Sequence, residues 1–154
     1  MINKQYKDLP KKVMGAGALI LNEKNEVLLV KPSYKDHWSI AGGIVDEKES
    51  PKETLIREVK EEIGLDLQEA KFLSIDYVSN YDDRGDNLQL IFFGGVLNEA
   101  EIKNIKVDGQ EIVDYKFVKI DEVGNYSNHR TTKRLIKSFE ALKNNIALYL
   151  EDGK

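Results

Sequence analysis

The sequence predicts an α/β fold in which a mixed β-sheet is flanked by helices, with residues 1–154 forming one domain. Three observations predict it: short apolar runs spaced like strands, an amphipathic helix with marked ends between them, and a second amphipathic helix near the end of the chain. Lys12–Asn22 and Val27–Lys31 are apolar runs joined by the polar residues 23–26, which reads as a hairpin. A loop follows, holding Pro32, Trp38 and the pair Gly42-Gly43. The next segment, Pro51–Ile63, is helical in pattern. Ser50 stands as its N-cap, Pro51 takes the first helical position where a missing N–H costs least, Glu53 completes a capping box, and Gly64 closes the far end. Strands are expected at Lys71–Ser79, Asn87–Leu97 and Glu111–Ile120, with a polar loop at Ser79–Asn87. A final helix is expected from about Arg130 to Leu150, because Leu135, Ile136, Phe139, Leu142, Ile146 and Leu150 recur at helical spacing. Trp38 is expected to pack beneath its loop, as aromatic rings usually serve as buried area.

Composition narrows the function. The chain has 23 Lys plus Arg against 27 Asp plus Glu, a net charge of −4, and no cysteine. Disulfides, thiolate metal sites, iron–sulfur clusters and cysteine nucleophiles are thereby excluded. The opening MINKQYKDLPKK lacks the apolar core of a signal peptide, and no run approaches the ~20 apolar residues of a membrane helix, so the expectation is a soluble cytoplasmic protein. A mildly acidic chain is also a poor ligand for duplex DNA, which is bound through clustered Lys and Arg. His37 and His129 are the only histidines and lack partners at metal-ligand spacing, so both are expected on the surface or in loops. The basic residues near the C-terminus, Arg130, Lys133, Arg134, Lys137 and Lys143, read as a solvated helix face.

Charge is concentrated in one place. Residues 43–65 hold seven acids against four bases, a net of −3. On a helical wheel with Glu58 at 0°, Glu61 falls near −60° and Glu62 near 40°, while Leu55, Val59, Ile63 and Ile56 span about 60° to 160°. An apolar face therefore runs beside a carboxylate face. Like charges at these spacings repel by a few tenths of a kcal/mol per pair in water and by more when partly buried. A shared cation reverses that sign, and oxygen-only ligands suit a hard divalent ion such as Mg²⁺, which is commonly shared with substrate phosphates.

The spacing is specific. It reads Gly43, five residues, Glu49, seven residues, Arg57-Glu58-Val59, one residue, Glu61-Glu62, one residue, Gly64-Leu65. At average residue usage the fixed identities arise by chance at about one in 10⁸ start positions. This pattern is a complete match to the Nudix box, and the chain resembles the Nudix hydrolase superfamily of the MutT-like type. The resemblance implies an α/β/α sandwich and metal-dependent hydrolysis of a nucleoside diphosphate linked to another group. It implies Mg²⁺, with Mn²⁺ as a substitute, held by Glu58, Glu61, Glu62 and the Gly43 carbonyl. Glu111 is the favoured downstream carboxylate, with Asp114 behind it. The general base is left open among Glu58, favoured, and Glu61 or Glu62. Arg57 and Glu49 resemble the family's structural pair, and Gly42-Gly43 allows close backbone approach. Ala41 departs from the proline often found before the glycine pair, which bears on loop rigidity and leaves the chemistry intact.

Substrate is less legible. The proline that marks ADP-ribose hydrolases after the box is absent, since Pro10, Pro32 and Pro51 are the only prolines. The upstream signature of coenzyme A specificity is absent too, and the lack of cysteine excludes the diphosphate isomerases of the superfamily. Tyr81, in a loop with Arg84, lies where dinucleoside-polyphosphate hydrolases often carry tyrosine. The expected substrate is a small nucleotide: a nucleoside triphosphate, oxidised or non-standard ones included, or a dinucleoside polyphosphate, with Lys31 and Lys35 as phosphate contacts. A non-catalytic nucleotide-sensing module and an RNA 5′-end pyrophosphohydrolase are the competing readings. Monomer and homodimer both remain open.

Overall fold

The computed structural model describes residues 6–79 and 85–154. Its centre is β1 (Val13–Asn22), flanked in sequence by β2 (Val27–Pro32) and β3 (Gly42–Ile44); α1 (Pro51–Ile63) then leads to β4 (Lys71–Val78) and β5 (Asn87–Leu97). A short α2 (Glu99–Ile102), β6 (Ile112–Val118), a 3₁₀ turn (Ile120–Asn125), α3 (His129–Asn144) and β7 (Leu148–Glu151) complete the order. The sheet runs β6-β2-β1-β5-β4-β7, with β3 paired to β1. The β1–β5 and β4–β7 pairs are parallel and the rest antiparallel, so the sheet is mixed, as anticipated.

β1 is apolar on successive residues because both of its faces are covered. Ala16, Ala18 and Ile20 pack with Leu55, Val59 and Ile63 of α1, and Leu19 and Leu21 pack with Leu135 and Ala141 of α3. This is the α/β/α sandwich. Beyond the hairpin end at Leu21–Val27, the segment 39–45 lies between β1 and β2. Val30 and Ser39 exchange backbone hydrogen bonds of 2.8 and 3.0 Å, Ala18 N–H donates to the Ala41 carbonyl (2.9 Å), and Val45 N–H donates to Met14 (2.8 Å). Gly42 and Gly43 thus run as a short strand along β1, directly beneath α1.

The α1 boundaries follow the sequence reading. Ser50 Oγ accepts from Glu53 N–H, Glu53 reaches back to Ser50 N–H, and Gly64 closes the helix in the left-handed region at φ 74°. Leu55, Val59 and Ile63 are fully buried, whereas Ile56 is 40% exposed and stands outside the apolar face assigned to it. The last helix is shorter than expected. It ends at Asn144, where Asn145 adopts φ 53°, a conformation asparagine tolerates better than most residues. Residues 148–151 form β7 parallel to β4, so Ile146 and Leu150 leave the helical stripe and Leu150 is buried as a strand residue. Trp38 packs against the α3-side core and meets Tyr126 edge-on, with ring centroids 6.4 Å apart.

α3 is fixed by polar as well as apolar contacts. Arg134 Nε donates to Asp76 on β4 at 2.8 Å, Gly153 N–H donates to the other Asp76 oxygen at 3.0 Å, and Ser74 and Ser138 hydroxyls meet at 2.8 Å. The Asp76 side chain is 1% exposed and that of Arg134 12%, so Arg134 is not part of a solvated face. Removing one partner from such a pair leaves a buried charge uncompensated. Asp76→Ala is expected to lower the unfolding free energy by about 3 kcal/mol, read by chemical denaturation; a loss below about 1 kcal/mol, the scale of an exposed pair, would contradict this account of α3 docking.

Candidate active site

The N-terminal capping box fixes where α1 begins, and the loop before it carries Glu49 to Arg57. The contact is bidentate: Arg57 Nε donates to Glu49 Oε1 at 2.8 Å and Nη2 to Oε2 at 2.9 Å, while Thr54 Oγ1 also donates to Glu49 at 2.8 Å. Hydrogen bonds from Arg57 first, and from Thr54 next, hold the Glu49 carboxyl down to about 2. Arg57 reaches further. Its Nη1 donates to Glu58 at 2.8 Å and to Glu61 at 3.2 Å, and Asp46 lies 3.5 Å from Nη2. Bonds to Glu49, then Glu58, raise the guanidinium pKa above its usual value.

Glu58 and Glu62 point toward the glycine strand. A Cβ on Gly43 would stand 2.5 Å from Glu58 Oε1, so only glycine leaves room for that carboxylate against the backbone. Gly42 has φ +147°, and a Cβ there would meet the Ala16 carbonyl at 2.1 Å. Its N–H donates to Glu62 Oε2 at 2.9 Å. Glu62 is 5% exposed. Desolvation raises its pKa to about 8 against the opposing hydrogen bond from Gly42, with Glu58, Glu111 and Asp108 adding repulsion. Glu61 is the exposed member of the three.

Glu111, just before β6, belongs to the same electrostatic neighbourhood, since its charge bears on Glu62. Its backbone N–H donates to Asp108 Oδ1 at 2.9 Å, and its Oε1 lies 3.5 Å from the Tyr34 hydroxyl. Desolvation raises the Tyr34 pKa, and the charges of Glu111, Glu62 and Glu58 raise it further. Tyr34 and Asp108 were not singled out by sequence; a register placing the Pro32 end of β2 beside Ile112 brings both to Glu111. Asp114 is exposed on β6, its carboxylate accepting from Tyr115 N–H. Lys31 Nζ donates to the Lys35 carbonyl, and Lys35 Nζ stands 5.2 Å from the Tyr34 ring centroid. Among the described residues, no ion pair joins either lysine to Glu58, Glu61, Glu62 or Glu111. Tyr81 and Arg84 lie outside the described residues. Two open grooves of about 490 and 410 Å³ lie near the C-terminal end of the fold, lined by residues such as Tyr149 and Asp152 or Lys133 and Ile136, and include none of these carboxylates.

The candidate ligands Glu58, Glu61, Glu62, Glu111 and the Gly43 carbonyl all offer oxygen, and Glu58 and Glu62 lie against the glycine strand. That chemistry fits a hard divalent cation. Among the described residues no three acidic or histidine side chains are grouped so as to hold an ion between them; Arg57 bonds Glu58 and Glu61, and the Gly42 N–H bonds Glu62. The buried Glu62 gives a direct readout. Its pKa is raised from 4.5 to about 8 in the folded protein, so its contribution to stability is full below pH 4.5 and is lost as pH rises through 8. In EDTA, the melting-temperature advantage of Glu62→Gln over the parent is expected to grow from pH 5 to pH 8 and then level. A constant difference over that range would contradict the burial cost.

The model of the NUDIX domain family matches residues 11–139. The chain is 30% identical over 129 residues to mRNA-decapping enzyme subunit 2 of Saccharomyces cerevisiae (strain YJM789), which takes in 80% of this chain and 13% of that protein. It is 31% identical over 87 residues to the 8-oxo-dGTP diphosphatase of Proteus vulgaris, 54% of this chain and 75% of that one. Among solved structures, the MutT protein from Methanosarcina mazei Go1 superposes with a TM-score of 0.69 at 25% identity, covering 90% of this chain and 99% of that one. The chain therefore spans about an eighth of the yeast protein and three quarters of the Proteus protein. With a family match across most of its length and the complete box folded into one helix and its glycine strand, this chain belongs to the NUDIX domain family.

Proposed function

We propose that the chain is a divalent-metal-dependent pyrophosphohydrolase that cleaves a phosphoric anhydride bond in a nucleoside triphosphate, oxidised and other non-standard triphosphates included. The observation that carries this reading is the carboxylate set gathered on the Gly42-Gly43 strand, with Glu58 against Gly43 and Glu62 on the Gly42 N–H. Glu58, Glu61, Glu62, Glu111 and the Gly43 carbonyl would hold Mg²⁺, or Mn²⁺ in its place. When bound, the cation supplies charge neutralisation on the phosphate oxygens.

Glu58 is the proposed general base. Its side chain is 16% exposed, enough to meet a water while its position is fixed by Arg57. The carboxylate accepts a proton as the water oxygen bonds to phosphorus, and the bridging P–O bond breaks with its electron pair leaving on the departing phosphate. Arg57 and Glu49 are positioning residues: their bidentate pair ties the loop to α1, so the glycine strand and the carboxylates keep one geometry. Lys31 and Lys35, on the Tyr34 side of the site, are the proposed phosphate contacts, and Tyr81 and Arg84 are proposed to contact the substrate. The Proteus relative's name supports the triphosphate choice, and the yeast relative's name makes the 5′ end of an RNA the reading to test against it.

Incubation with nucleoside triphosphates, dinucleoside polyphosphates, nucleotide sugars and 5′-triphosphorylated RNA, in Mg²⁺ or in EDTA, followed by mass analysis of products, tests this proposal. Triphosphates are expected to be cleaved in Mg²⁺ and left intact in EDTA, and Glu58→Gln should lower kcat by about 10²- to 10⁴-fold, the usual range for loss of a general base. Cleavage of RNA alone would replace the proposed substrate. Nucleotide binding without turnover of any substrate would assign the chain to nucleotide sensing instead.

A further inference from the structure

The turn that follows β2, residues 33–37, is pinned at both ends. Ser33 N–H donates to the Glu111 carbonyl at 2.8 Å, and at the far end Trp38 N–H donates to the Tyr126 carbonyl at 3.0 Å. His37 Nε2 and Asn128 Nδ2 are also 3.0 Å apart. Between these anchors Tyr34 is 63% exposed. Its hydroxyl lies 3.5 Å from Glu111 Oε1, and Lys35 Nζ stands 5.2 Å from its ring centroid. A large ring left this open contributes little buried area to the fold. The turn nevertheless fixes it beside Glu111, a carboxylate from outside α1 whose charge bears on Glu62.

The geometry points to Tyr34 as a further substrate-binding residue, whose ring stacks on the nucleobase of the bound nucleotide. This rests on the proposed reading of the carboxylate site, because Glu111 is taken as its outer wall. Phosphates drawn to a cation among the carboxylates leave the nucleoside to extend past that wall, where Tyr34 offers an aromatic face. Stacking needs no base-edge hydrogen bonds and so tolerates any nucleobase. Lys35, close to the ring, adds positive charge where the phosphate chain would join the nucleoside.

The test is equilibrium binding, by calorimetry with Mg²⁺ present, of nucleoside triphosphates whose bridging oxygens are replaced by methylene groups, beside tripolyphosphate as a ligand without a base. Tyr34→Ala is expected to weaken nucleotide binding about tenfold, the scale of one lost base–aromatic stack, and to leave tripolyphosphate affinity unchanged. Tyr34→Phe and Tyr34→Trp should retain nucleotide affinity. Unaltered nucleotide affinity in Tyr34→Ala, equal weakening of both ligands, or a Tyr34→Phe as weak as Tyr34→Ala would overturn the stacking role. A parent protein that binds no nucleotide overturns it as well. A parent protein that binds with the expected Tyr34 dependence yet hydrolyses nothing overturns the proposed hydrolysis and leaves the stacking role standing.

Discussion

Carboxylates on one side of one helix repel, and in this fold a single guanidinium holds two of the three, Glu58 and Glu61. Arg57 makes two parallel hydrogen bonds to Glu49 and further bonds to Glu58 and Glu61. A lysine, a point charge without a planar fork, cannot reproduce the bidentate geometry. Because Glu49 belongs to the loop and Glu58 and Glu61 to the helix, the same side chain also decides how the loop enters α1. The capping box at Ser50 and Glu53 supports that entry from the backbone side.

What Arg57 holds is useful only because the sheet leaves a place for it to act. β3 lies along β1 in the space between β1 and β2, and the three residues of β3 include both glycines. A side chain at position 42 would collide with the Ala16 carbonyl, and one at position 43 with the Glu58 carboxylate. The glycine strand therefore lies at backbone distance from β1 and takes the Glu58 side chain of α1 against Gly43. The cost is concentrated in Glu62, which is desolvated among neighbours of its own sign. A carboxyl buried among like charges supports the proposed cation site. On the opposite face of the sheet Asp76 pairs with Arg134 and fixes α3.

The parts of this arrangement that were legible in the sequence are those encoded locally. The limits of α1, its buried Leu55, Val59 and Ile63, and the spacing from Gly43 to Leu65 all lie within one contiguous stretch, where caps and periodicity report directly. The parts that were not legible depend on partners far away in the chain. β3 is three residues long and two are glycine, so no strand pattern exists to read; it becomes a strand because β1 offers its edge. The spacing of Leu142, Ile146 and Leu150 imitates a helix, yet the alternation of Leu148 and Leu150 inward with Tyr149 outward is that of β7 once β4 supplies its pairing. Tyr34 reaches the site through the register of β2 with β6, a relation no local signal carries.

The proposed reading makes the Gly42-Gly43 strand and the α1 carboxylates a divalent-cation site that presents nucleotide phosphates for hydrolysis. Its most direct test is an anomalous difference map from crystals grown with Mn²⁺ and a methylene-bridged nucleoside triphosphate. Manganese peaks are expected bounded by Glu58, Glu62 and the Gly43 carbonyl, with phosphate oxygens on their open side. Nucleotide bound with no manganese at that position, or manganese and phosphates together at another face of the sheet, would contradict it.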